Sequence, residues 1–333
     1  MIRVGINGLG RIGRLALRAG WSNPRLQFVR TNDLSCNPEA AAHLAEFDSL
    51  HGRWDATFSH DDNSWTIDDT SLAHTSEADI SAVRWSDCDL VIEATGKHHK
   101  SPDALAQYFA QGVKKVLVAA PTEGALNIVY GINHHLYEPA EHNLVTAASC
   151  TTNCLAPVVK VMLDHAGIRH GTMTSIHAIT NTQTIVDRGH KDLRRARAAG
   201  ESLIPTTTGS ARAITQIFPE LTGRLNGHAV RVPTLSASLV DFVFEAERDV
   251  TEESVNDALQ AAAEGELSGI LGFESRPLVS ADFVDDPRSA VVDGLSTMVV
   301  DQRLVKLYAW YDNEWGYACR VADLAGMIAD HLA

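Results

Sequence analysis

The sequence contains few cysteines and no long hydrophobic run. Its 333 residues include five cysteines, an odd number scattered from Cys36 to Cys319, which excludes a dense disulfide framework and is typical of a reducing compartment. No stretch approaches the roughly 18 uninterrupted apolar residues of a membrane-spanning helix. The first eight residues reach glycine and asparagine before any apolar stretch of signal-peptide length. We therefore expect a cytoplasmic protein that does not enter a membrane.

Positive charge is also scarce. Lysine and arginine number 28 against 42 acidic residues, which gives a formal net charge of −14. This balance, with no basic run longer than Arg194-Arg195, disfavours nucleic acid as a partner but still allows small anions as ligands. The 15 histidines form no H-E-x-x-H motif and no Cys/His ligand spacing, so we expect no metal site.

The remaining composition is that of an ordinary globular protein. Hydrophobic residues make up 45% and charged residues 21%, and the length favours two domains. The first half alternates β-rich runs with helix-like segments, a pattern that predicts a parallel sheet wound with helices. The predicted strands are 2–7, 26–31, 90–94, 115–120, 128–132 and 144–147, and the predicted helices are 11–19 and 102–111.

The second half has a different pattern. A helix is expected from Cys150, with Pro157 making its early turns uncertain. Longer strands are predicted at 172–179, 229–247 and 304–311, some of them alternating as in a sheet with one exposed face. Thr251 and two acidic residues open a helix that runs to 263, and a last amphipathic helix covers 318–332. This half therefore predicts a mixed α+β domain.

A glycine-rich turn follows the first predicted strand. The segment Gly8-Leu9-Gly10-Arg11-Ile12-Gly13 opens a helix, and Asp33 lies 20 residues after Gly13. This context is typical of dinucleotide binding, with the pyrophosphate at the helix start and the carboxylate on the adenosine ribose. The alternative is that the glycines only make a turn and that Asp33 caps the next segment.

Cys150 and His177 are the candidate catalytic pair. Cys150 lies at a predicted helix start, where the amide dipoles would lower the pKa of its thiol. His177 lies 27 residues further on in an apolar run. Taken alone, a cysteine such as Cys150 is usually a small buried hydrophobe, and His177 is as compatible with a hydrogen-bonded core histidine as with catalysis.

The two segments that hold this pair resemble the phosphorylating glyceraldehyde-3-phosphate dehydrogenase family. They are Ser149-Cys150-Thr151-Thr152-Asn153-Cys154 and His177-Ala178-Ile179-Thr180-Asn181-Thr182. The similarity continues in order through Gly5-Ile6-Asn7-Gly8, Asn32-Asp33, Phe47-Asp48-Ser49-Leu50-His51-Gly52, Glu93-Ala94-Thr95-Gly96, His190-Lys191-Asp192-Leu193-Arg194-Arg195-Ala196-Arg197, Thr208-Gly209, Arg231-Val232-Pro233-Thr234 and Trp310-Tyr311-Asp312-Asn313-Glu314.

The resemblance implies an α/β Rossmann-type dinucleotide-binding domain plus an α+β catalytic domain with a mixed, largely antiparallel sheet. The expected boundaries are 1–149, completed by a C-terminal helix at 316–333, and 150–315. It also implies a cytoplasmic homotetramer in glycolysis and glucose metabolism, with the 182–202 loop helping to line a neighbour's cofactor site.

The implied reaction oxidises glyceraldehyde 3-phosphate with NAD. Cys150 attacks the aldehyde, His177 accepts its proton, and inorganic phosphate releases the resulting thioester as 1,3-bisphosphoglycerate. The implied NAD residues are Gly8, Gly10, Arg11, Ile12, Gly13, Asn32, Asp33, Thr95, Gly96, Asn313 and Tyr317. The implied substrate-phosphate residues are Thr180, Thr182 and Arg231, and those for the attacking anion are Ser149, Thr151, Arg195, Thr208 and Gly209.

Departures from the family pattern keep several functions open. Arg188-Gly189 stands where a leucine and a proline are common, and Arg188 makes NADP possible because it could pair with a 2′-phosphate. Ala148 replaces the usual asparagine, and together with further segments it resembles an arsenic-resistance subgroup that uses arsenate to form 1-arseno-3-phosphoglycerate. The sequence is also compatible with an erythrose-4-phosphate dehydrogenase, a semialdehyde dehydrogenase or acyl-phosphate reductase, and a binding protein without turnover.

Overall fold

The computed structural model describes residues 1–332 and divides them into two compact units. The first unit comprises residues 1–130, 134–148 and, at the end of the chain, 317–332. The second unit comprises residues 131–133 and 149–316. Ala333, the last residue of the helix predicted at 316–333, lies outside the described residues.

The helices and strands have the following bounds. The α-helices are α1 (Arg11–Gly20), α2 (Pro38–Glu46), α3 (Pro102–Ala110), α4 (Cys150–His165), α5 (Ser210–Ile217), α6 (Glu252–Glu264) and α7 (Trp315–Asp330). The strands are β1 (Ile2–Asn7), β2 (Leu26–Asn32), β3 (Phe47–Asp48), β4 (Gly52–Arg53), β5 (Phe58–His60), β6 (Ser64–Ile67), β7 (Thr70–Thr75), β8 (Leu90–Glu93), β9 (Lys115–Val118), β10 (Leu126–Asn127), β11 (Leu144–Thr146), β12 (His170–His177), β13 (Ile204–Thr207), β14 (Leu225–Arg231), β15 (Ser238–Glu245), β16 (Leu271–Glu274), β17 (Ala290–Asp293), β18 (Met298–Val300) and β19 (Leu304–Tyr311).

The first unit is built on a sheet with strand order β10-β11-β9-β8-β1-β2-β7-β6-β5. All pairings from β10 to β7 are parallel, and β6 and β5 add an antiparallel edge. Every residue of β8 and β9 is buried, as expected for central parallel strands. The register aligns Asn7 with both Asn32 and Glu93, so three polar side chains meet at the carboxyl ends of adjacent strands.

One predicted strand of this unit is wrong. Residues 128–132 were expected to form a strand, but the strand there is the two-residue β10, which ends before Ile128. Ile128 and Val129 are fully buried, so the apolar run reflects core packing rather than strand pairing. The chain then turns at Gly131, whose φ of 87° is one that glycine adopts readily.

The second unit contains a mixed sheet with order β13-β14-β12-β15-β19-β17-β16, and β18 pairs with β19. Only β12 with β14 and β16 with β17 run parallel, and the other pairings are antiparallel. Helix α4 packs against α5 and α6 and contacts β17 and β19. The predicted α/β domain and largely antiparallel second sheet are therefore confirmed.

The single strand predicted at 229–247 is also wrong. The structure has two strands there, β14 ending at Arg231 and β15 beginning at Ser238. Pro233 cannot donate to a strand ladder, and Ala237 has a left-handed φ of 63°. The break leaves Arg231 at a strand end, where the β12–β14 register places it opposite His177.

No helix among residues 1–332 is long and apolar enough to span a membrane.

Candidate active site

Cys150 is the first residue of α4. Ser149 is the N-cap residue of this helix, and its Oγ accepts a hydrogen bond of 3.2 Å from the Thr152 amide, which is the usual way to satisfy a free amide at a helix start. Ala148 has a φ of 55°, a conformation that asparagine tolerates better than alanine. This turn delivers the partly exposed Cys150 side chain to the start of a largely buried helix.

His177, at the end of β12, faces Cys150 within the second unit. Its Nε2 lies 3.5 Å from the Cys150 Sγ, and its Nδ1 lies 2.6 Å from the Ala178 carbonyl oxygen. A nitrogen that close to a carbonyl oxygen carries the proton, so we assign the tautomer that leaves Nε2 as an acceptor facing the thiol. The Arg231 Nη1 lies 2.5 Å from the same Nδ1 but also donates to the Ala178 oxygen at 3.0 Å, and we assign its proton to that oxygen.

Burial sets the protonation of the pair. Burial, with Arg231 second, lowers the pKa of His177 to about 3, so the imidazole is neutral at neutral pH. Burial also raises the pKa of the Cys150 thiol and outweighs the opposing effects of Arg231 and the Thr151 hydrogen bonds. The prediction that the helix start lowers the pKa of the Cys150 thiol is therefore wrong. The neutral imidazole of His177 is the group placed to accept the thiol proton.

Arg231 is half-buried without a carboxylate partner. Its contacts within the described residues are His177 and the Ala178 oxygen, and its buried Nε has no hydrogen-bond partner there. Burial lowers the pKa of the guanidinium. A guanidinium in such surroundings is usually paired with an anion, so this unsatisfied donor next to Cys150 and His177 makes Arg231 a candidate anion-binding residue.

Two of the predicted threonines lie together beside a second arginine. The Thr180 and Thr182 hydroxyl oxygens are 2.9 Å apart, and Arg195 Nη1 lies 3.4 Å from the Thr182 hydroxyl. Arg195 is held by Thr206, whose Oγ1 accepts from its Nε at 2.9 Å and donates to Asp192. Because Arg195 also contributes to lowering the pKa of His177, its charge is felt at the catalytic pair.

A separate group of hydroxyls forms at the start of α5. The Ser149 Oγ lies 3.3 Å from the Ser210 Oγ, to which the Thr208 hydroxyl donates at 3.1 Å. Gly209 is the N-cap residue of α5. The structure thus brings together three predicted residues from α4 and α5, a cradle of hydroxyls at a helix start that suits an anion.

Thr151 is directed elsewhere. Its side chain is buried, and its hydroxyl lies 2.9 Å from the Tyr311 Oη, which also lies 3.0 Å from the Ser175 hydroxyl. The rings of His177 and Tyr311 meet edge to face. Tyr311 therefore supports both α4 and His177, a role that the sequence motifs did not indicate.

Three more supporting residues were not predicted from the sequence. Thr206, Ser210 and Asp192 were not assigned, although Ser210 directly follows the predicted Thr208-Gly209 segment at a helix start, and that position was a usable signal. Nothing in the sequence indicates the contact of Thr206 with Arg195, because it depends on how β13 packs against the 182–202 loop, which contains Arg195.

In the first unit, the glycine turn has the shape that a dinucleotide needs. A Cβ at Gly13 would lie 1.8 Å from the Gly8 carbonyl oxygen, and one at Gly8 would lie 2.6 Å from the Thr95 nitrogen. A Cβ at Gly10 would meet nothing within 4 Å, so the backbone there borders open space. Among the described residues, no side-chain hydrogen bond caps α1, and a helix start of this kind suits an anion.

Asp33 lies directly beside this turn. The Leu9 amide donates to its Oδ2 at 2.7 Å, and the Ser35 amide and hydroxyl both donate to its Oδ1. Burial raises the pKa of Asp33, but these hydrogen bonds outweigh that effect and hold it below the usual value. The residues thus fit an NAD site, with a fixed carboxylate for a ribose and glycines for a pyrophosphate.

The remaining predicted cofactor residues are held by their own networks. Asn32 donates to Asn7 and to the Glu77 carbonyl oxygen, and the Thr95 hydroxyl donates to Glu93. Gly96 has a φ of 68° with nothing near its missing Cβ. Ile12 lies in the first turn of α1, and Arg11 pairs with Asp48. Burial raises the pKa of Asp48, but the hydrogen bonds from Arg11 and from backbone amides lower it more strongly, so that the pKa lies below its usual value.

Asn313 and Tyr317 belong to different units. The Asn313 Oδ1 accepts from the Ser238 hydroxyl at 2.7 Å, and the Ser238 Oγ accepts from the Ala178 amide at 3.0 Å. This fixes the orientation of the Asn313 amide and leaves its NH2 as the donating end. Tyr317 is buried, and its hydroxyl donates to the Ala148 carbonyl oxygen at 3.1 Å.

Comparison with known proteins gives one consistent result. The family model described as "Glyceraldehyde 3-phosphate dehydrogenase, NAD binding domain" matches residues 2–101, and the model of the C-terminal domain of the same enzyme matches residues 149–313. Glyceraldehyde-3-phosphate dehydrogenase 3 of Nostoc sp. is 58% identical over 332 residues, with 98% of each chain covered. The dehydrogenases of Geobacillus stearothermophilus (49%) and Bacillus subtilis (48%, dehydrogenase 1) have the same coverage. The chain belongs to the glyceraldehyde-3-phosphate dehydrogenase family.

Proposed function

We propose that this chain oxidises glyceraldehyde 3-phosphate with NAD and transfers the acyl group to inorganic phosphate, giving 1,3-bisphosphoglycerate. The observation that carries the proposal is the Cys150 Sγ placed 3.5 Å from His177 Nε2, next to an Arg231 whose Nε has no partner among the described residues. A nucleophile, a base and an unpaired cation in one place suit an aldehyde that carries a phosphate.

The cofactor residues have distinct tasks. The turn from Gly8 to Gly13, with Arg11 and Ile12 at the helix start, holds the pyrophosphate, and Asp33 holds the adenosine ribose. Asn32, Thr95 and Gly96 shape the neighbouring strand ends, and Asn313 donates to the nicotinamide carboxamide. Tyr317, with its hydroxyl on Ala148, supports the chain before the catalytic helix. Bound NAD supplies a hydride acceptor.

The chemistry of the protein itself begins with a proton transfer. His177 Nε2 accepts the Cys150 thiol proton, and the sulfur forms a bond to the aldehyde carbon. The imidazolium then stabilises the negative charge that develops on the aldehyde oxygen. Loss of the hydride from this oxyanion, which bound NAD would accept, leaves a thioester on Cys150. The proton taken from the thiol stays on His177 and then passes to solvent. An oxygen of phosphate attacks the acyl carbon, the carbon–sulfur bond breaks, and the sulfur leaves as a thiolate next to His177.

Two anion positions serve the two phosphates. We assign the substrate phosphate to Arg231 with Thr180 and Thr182. The attacking phosphate is assigned to Ser149, Thr208, Gly209 and Ser210. Arg195 is assigned to it as well, because this side chain contacts Thr182 but also donates from Nη2 to the carbonyl oxygen of Thr207, the neighbour of Thr208, at 3.4 Å. Thr151 contributes less through its side chain than the sequence implied, because its hydroxyl is engaged by Tyr311.

NAD is preferred to NADP because Asp33 would repel a 2′-phosphate. Arg188 is exposed, and its amide donates to the Ala196 carbonyl oxygen at 2.9 Å. Its side chain is the candidate that the sequence offers for pairing with a 2′-phosphate of NADP. Initial rates with the two cofactors test the assignment, and a preference for NADP would overturn it.

The working form is a homotetramer. Its support is the exposure of three large apolar side chains in the 182–203 loop: Ile185 is 92% exposed, Leu193 80% and Leu203 69%. Side chains of this kind are normally covered by a partner, and a second copy of the chain is the occupant we propose. Light scattering with and without NAD tests this, and a monomer at assay concentration would contradict it.

We propose that the protein works in the cytoplasm, where it oxidises triose phosphate derived from glucose. None of the five cysteines is joined in a disulfide, as expected in a reducing compartment. The named relatives are glyceraldehyde-3-phosphate dehydrogenases, which favours neither arsenate nor erythrose 4-phosphate as the physiological reactant. Rates with phosphate and arsenate, and with both aldehydes, test this choice; a higher kcat/KM for arsenate or for erythrose 4-phosphate would overturn it.

A further inference from the structure

A buried histidine in the first unit has no part in the reaction described above. His74 lies in β7, opposite Thr31 of β2, and is 6% exposed. Its Nε2 lies 2.9 Å from the Cys36 carbonyl oxygen and its Nδ1 lies 2.9 Å from the Thr31 hydroxyl. The Trp65 indole donates to that same hydroxyl oxygen at 2.9 Å.

These contacts fix the direction of every hydrogen bond. A carbonyl oxygen can only accept, so His74 Nε2 carries the proton and Nδ1 accepts from Thr31. The Thr31 oxygen in turn accepts a hydrogen bond from Trp65, because the indole N–H can only donate. Burial lowers the pKa of His74, so the neutral ring that this chain of bonds requires is the form present at neutral pH.

The end of this network holds the turn that carries Asp33. Cys36 closes the turn through its amide, which donates to the Asp33 carbonyl oxygen at 3.4 Å. The Cys36 carbonyl oxygen is then fixed to the β7 segment by two donors, His74 and the Ser76 hydroxyl at 2.6 Å. The Asp33 carboxylate is held directly by Leu9 and Ser35, and the far end of the turn that carries it is held through the Cys36 carbonyl oxygen by His74 and Ser76.

We propose that His74 is a positioning residue that fixes the Asp33–Cys36 turn and thereby sets the preference for NAD over NADP. The proposal rests on the assignment of Asp33 to the adenosine ribose under the proposed function. A carboxylate repels a 2′-phosphate strongly only at short distance, because the Coulomb energy falls with separation and with access of water. A turn free to move away would lose both the ribose hydrogen bonds and the repulsion.

The test uses three substitutions in the full-length protein. His74→Phe removes both ring hydrogen bonds while keeping an apolar ring of similar size. His74→Gln restores a donor towards the Cys36 carbonyl oxygen. Trp65→Phe is the matched control, because it removes a buried hydrogen bond of the same network that does not reach the turn.

Two readouts separate positioning from a general loss of structure. Equilibrium dissociation constants for NADH and NADPH, from fluorescence titration, report the cofactor site without turnover. The kcat, the KM for NAD and the KM for glyceraldehyde 3-phosphate report the reaction. Loss of a neutral hydrogen bond corresponds to roughly a three- to tenfold change.

For His74→Phe we expect the dissociation constant of NADH and the KM for NAD to rise roughly three- to tenfold, with the NADPH constant rising less. The kcat and the KM for the aldehyde stay within twofold of the parent values. His74→Gln recovers the NADH constant to within twofold, and Trp65→Phe lowers thermal stability without changing the NADH to NADPH ratio.

The proposal is overturned if His74→Phe leaves that ratio unchanged, if Trp65→Phe changes it equally, or if His74→Gln gives no recovery. Should His74→Phe fail to fold, Ser76→Ala, which removes the other donor to the Cys36 carbonyl oxygen, must raise the ratio of the NADH to the NADPH dissociation constant roughly two- to threefold, or the proposal is wrong. A parent protein that binds NADH but does not oxidise glyceraldehyde 3-phosphate would refute the proposed reaction while leaving the binding ratios to judge His74.

Discussion

Replacing Arg231 by leucine tests the proposal that this residue recognises the substrate phosphate. Arg231 Nη1 donates to the Ala178 oxygen, and the Nε has no partner among the described residues. We expect the free guanidinium donors to form two charge-assisted hydrogen bonds to the phosphate, each contributing about 1.5–3 kcal/mol. Allowing for non-additivity, the loss is about 3–4 kcal/mol, or roughly 150- to 900-fold in kcat/KM.

Although its activity falls, the Arg231→Leu variant should be at least as stable as the parent. A half-buried guanidinium without a carboxylate partner gives the free protein little, and removing such a charge is often neutral or stabilising. The variant should therefore unfold at the same urea concentration as the parent or at a higher one. The pKa of His177 should rise, because burial and then Arg231 hold it down.

The assay compares two aldehydes. Initial rates of NADH formation are measured with glyceraldehyde 3-phosphate and with unphosphorylated glyceraldehyde. The loss should be confined to the phosphorylated substrate. Arg224→Leu is the matched control, since Arg224 precedes the other end of β14 and pairs with Glu247 on the surface. Equal losses with both aldehydes, or a marked drop in stability, would refute the assignment of Arg231 to the phosphate.

Three further predictions concern the nucleophile, the base and a helix cap. Cys150→Ser should abolish NADH formation while NADH binding, measured by fluorescence, persists; turnover in this variant would contradict the covalent route. His177→Gln should lower kcat roughly 10²- to 10⁴-fold. Because the pKa of folded His177 is about 3, below its value of about 6.5 when unfolded, the unfolded chain binds the extra proton between these values. The parent should therefore lose stability on acidification from pH 6.5 towards 3 by up to about 1.4 kcal/mol per pH unit. Urea unfolding at pH 7, 5.5 and 4.5 should show a smaller loss of stability per pH unit for His177→Gln than for the parent. Identical losses in the two proteins would argue against the depressed pKa. Thr251→Ala removes the capping hydroxyl that accepts a hydrogen bond from the Ser254 amide at the start of α6. It should lower the free energy of unfolding by about 1 kcal/mol and leave kcat unchanged. A change in kcat would mean that α6 influences the site.

The cofactor turn could be predicted from sequence because its requirements are local. Gly8 and Gly13 are demanded by the backbone itself, Gly8 by its positive φ and Gly13 by its contact with a carbonyl oxygen. Asp33 follows from the spacing of two adjacent parallel strands. These features are encoded within about 30 residues, so a single sequence reveals them.

The anion site could be predicted only in part because its contacts join distant segments. The Thr151–Tyr311 contact spans 160 residues, and no local pattern indicates which hydroxyl meets which partner. For this reason the Thr151 hydroxyl was assigned to an anion, whereas the structure directs it to Tyr311. Likewise, the thiol pKa of Cys150 depends on how completely the site is buried, which the helix start alone does not determine.

Strand errors arose where apolar residues continue past the end of strand pairing. The pattern from 229 to 247 is β-rich throughout, yet the chain leaves the sheet between Arg231 and Ser238. Pro233 was the available signal. The same cause explains 128–132, where Ile128 is buried outside a strand.

The central claim is that the oxidised substrate passes through a thioester on Cys150 that phosphate releases. The most direct measurement is a stopped-flow record of NADH formation from glyceraldehyde 3-phosphate and NAD, with and without inorganic phosphate. The account predicts a burst of one NADH per Cys150 when phosphate is absent, followed by near arrest, and continuous turnover once phosphate is added. Continuous turnover at the same rate without phosphate, or the absence of any burst, would contradict it.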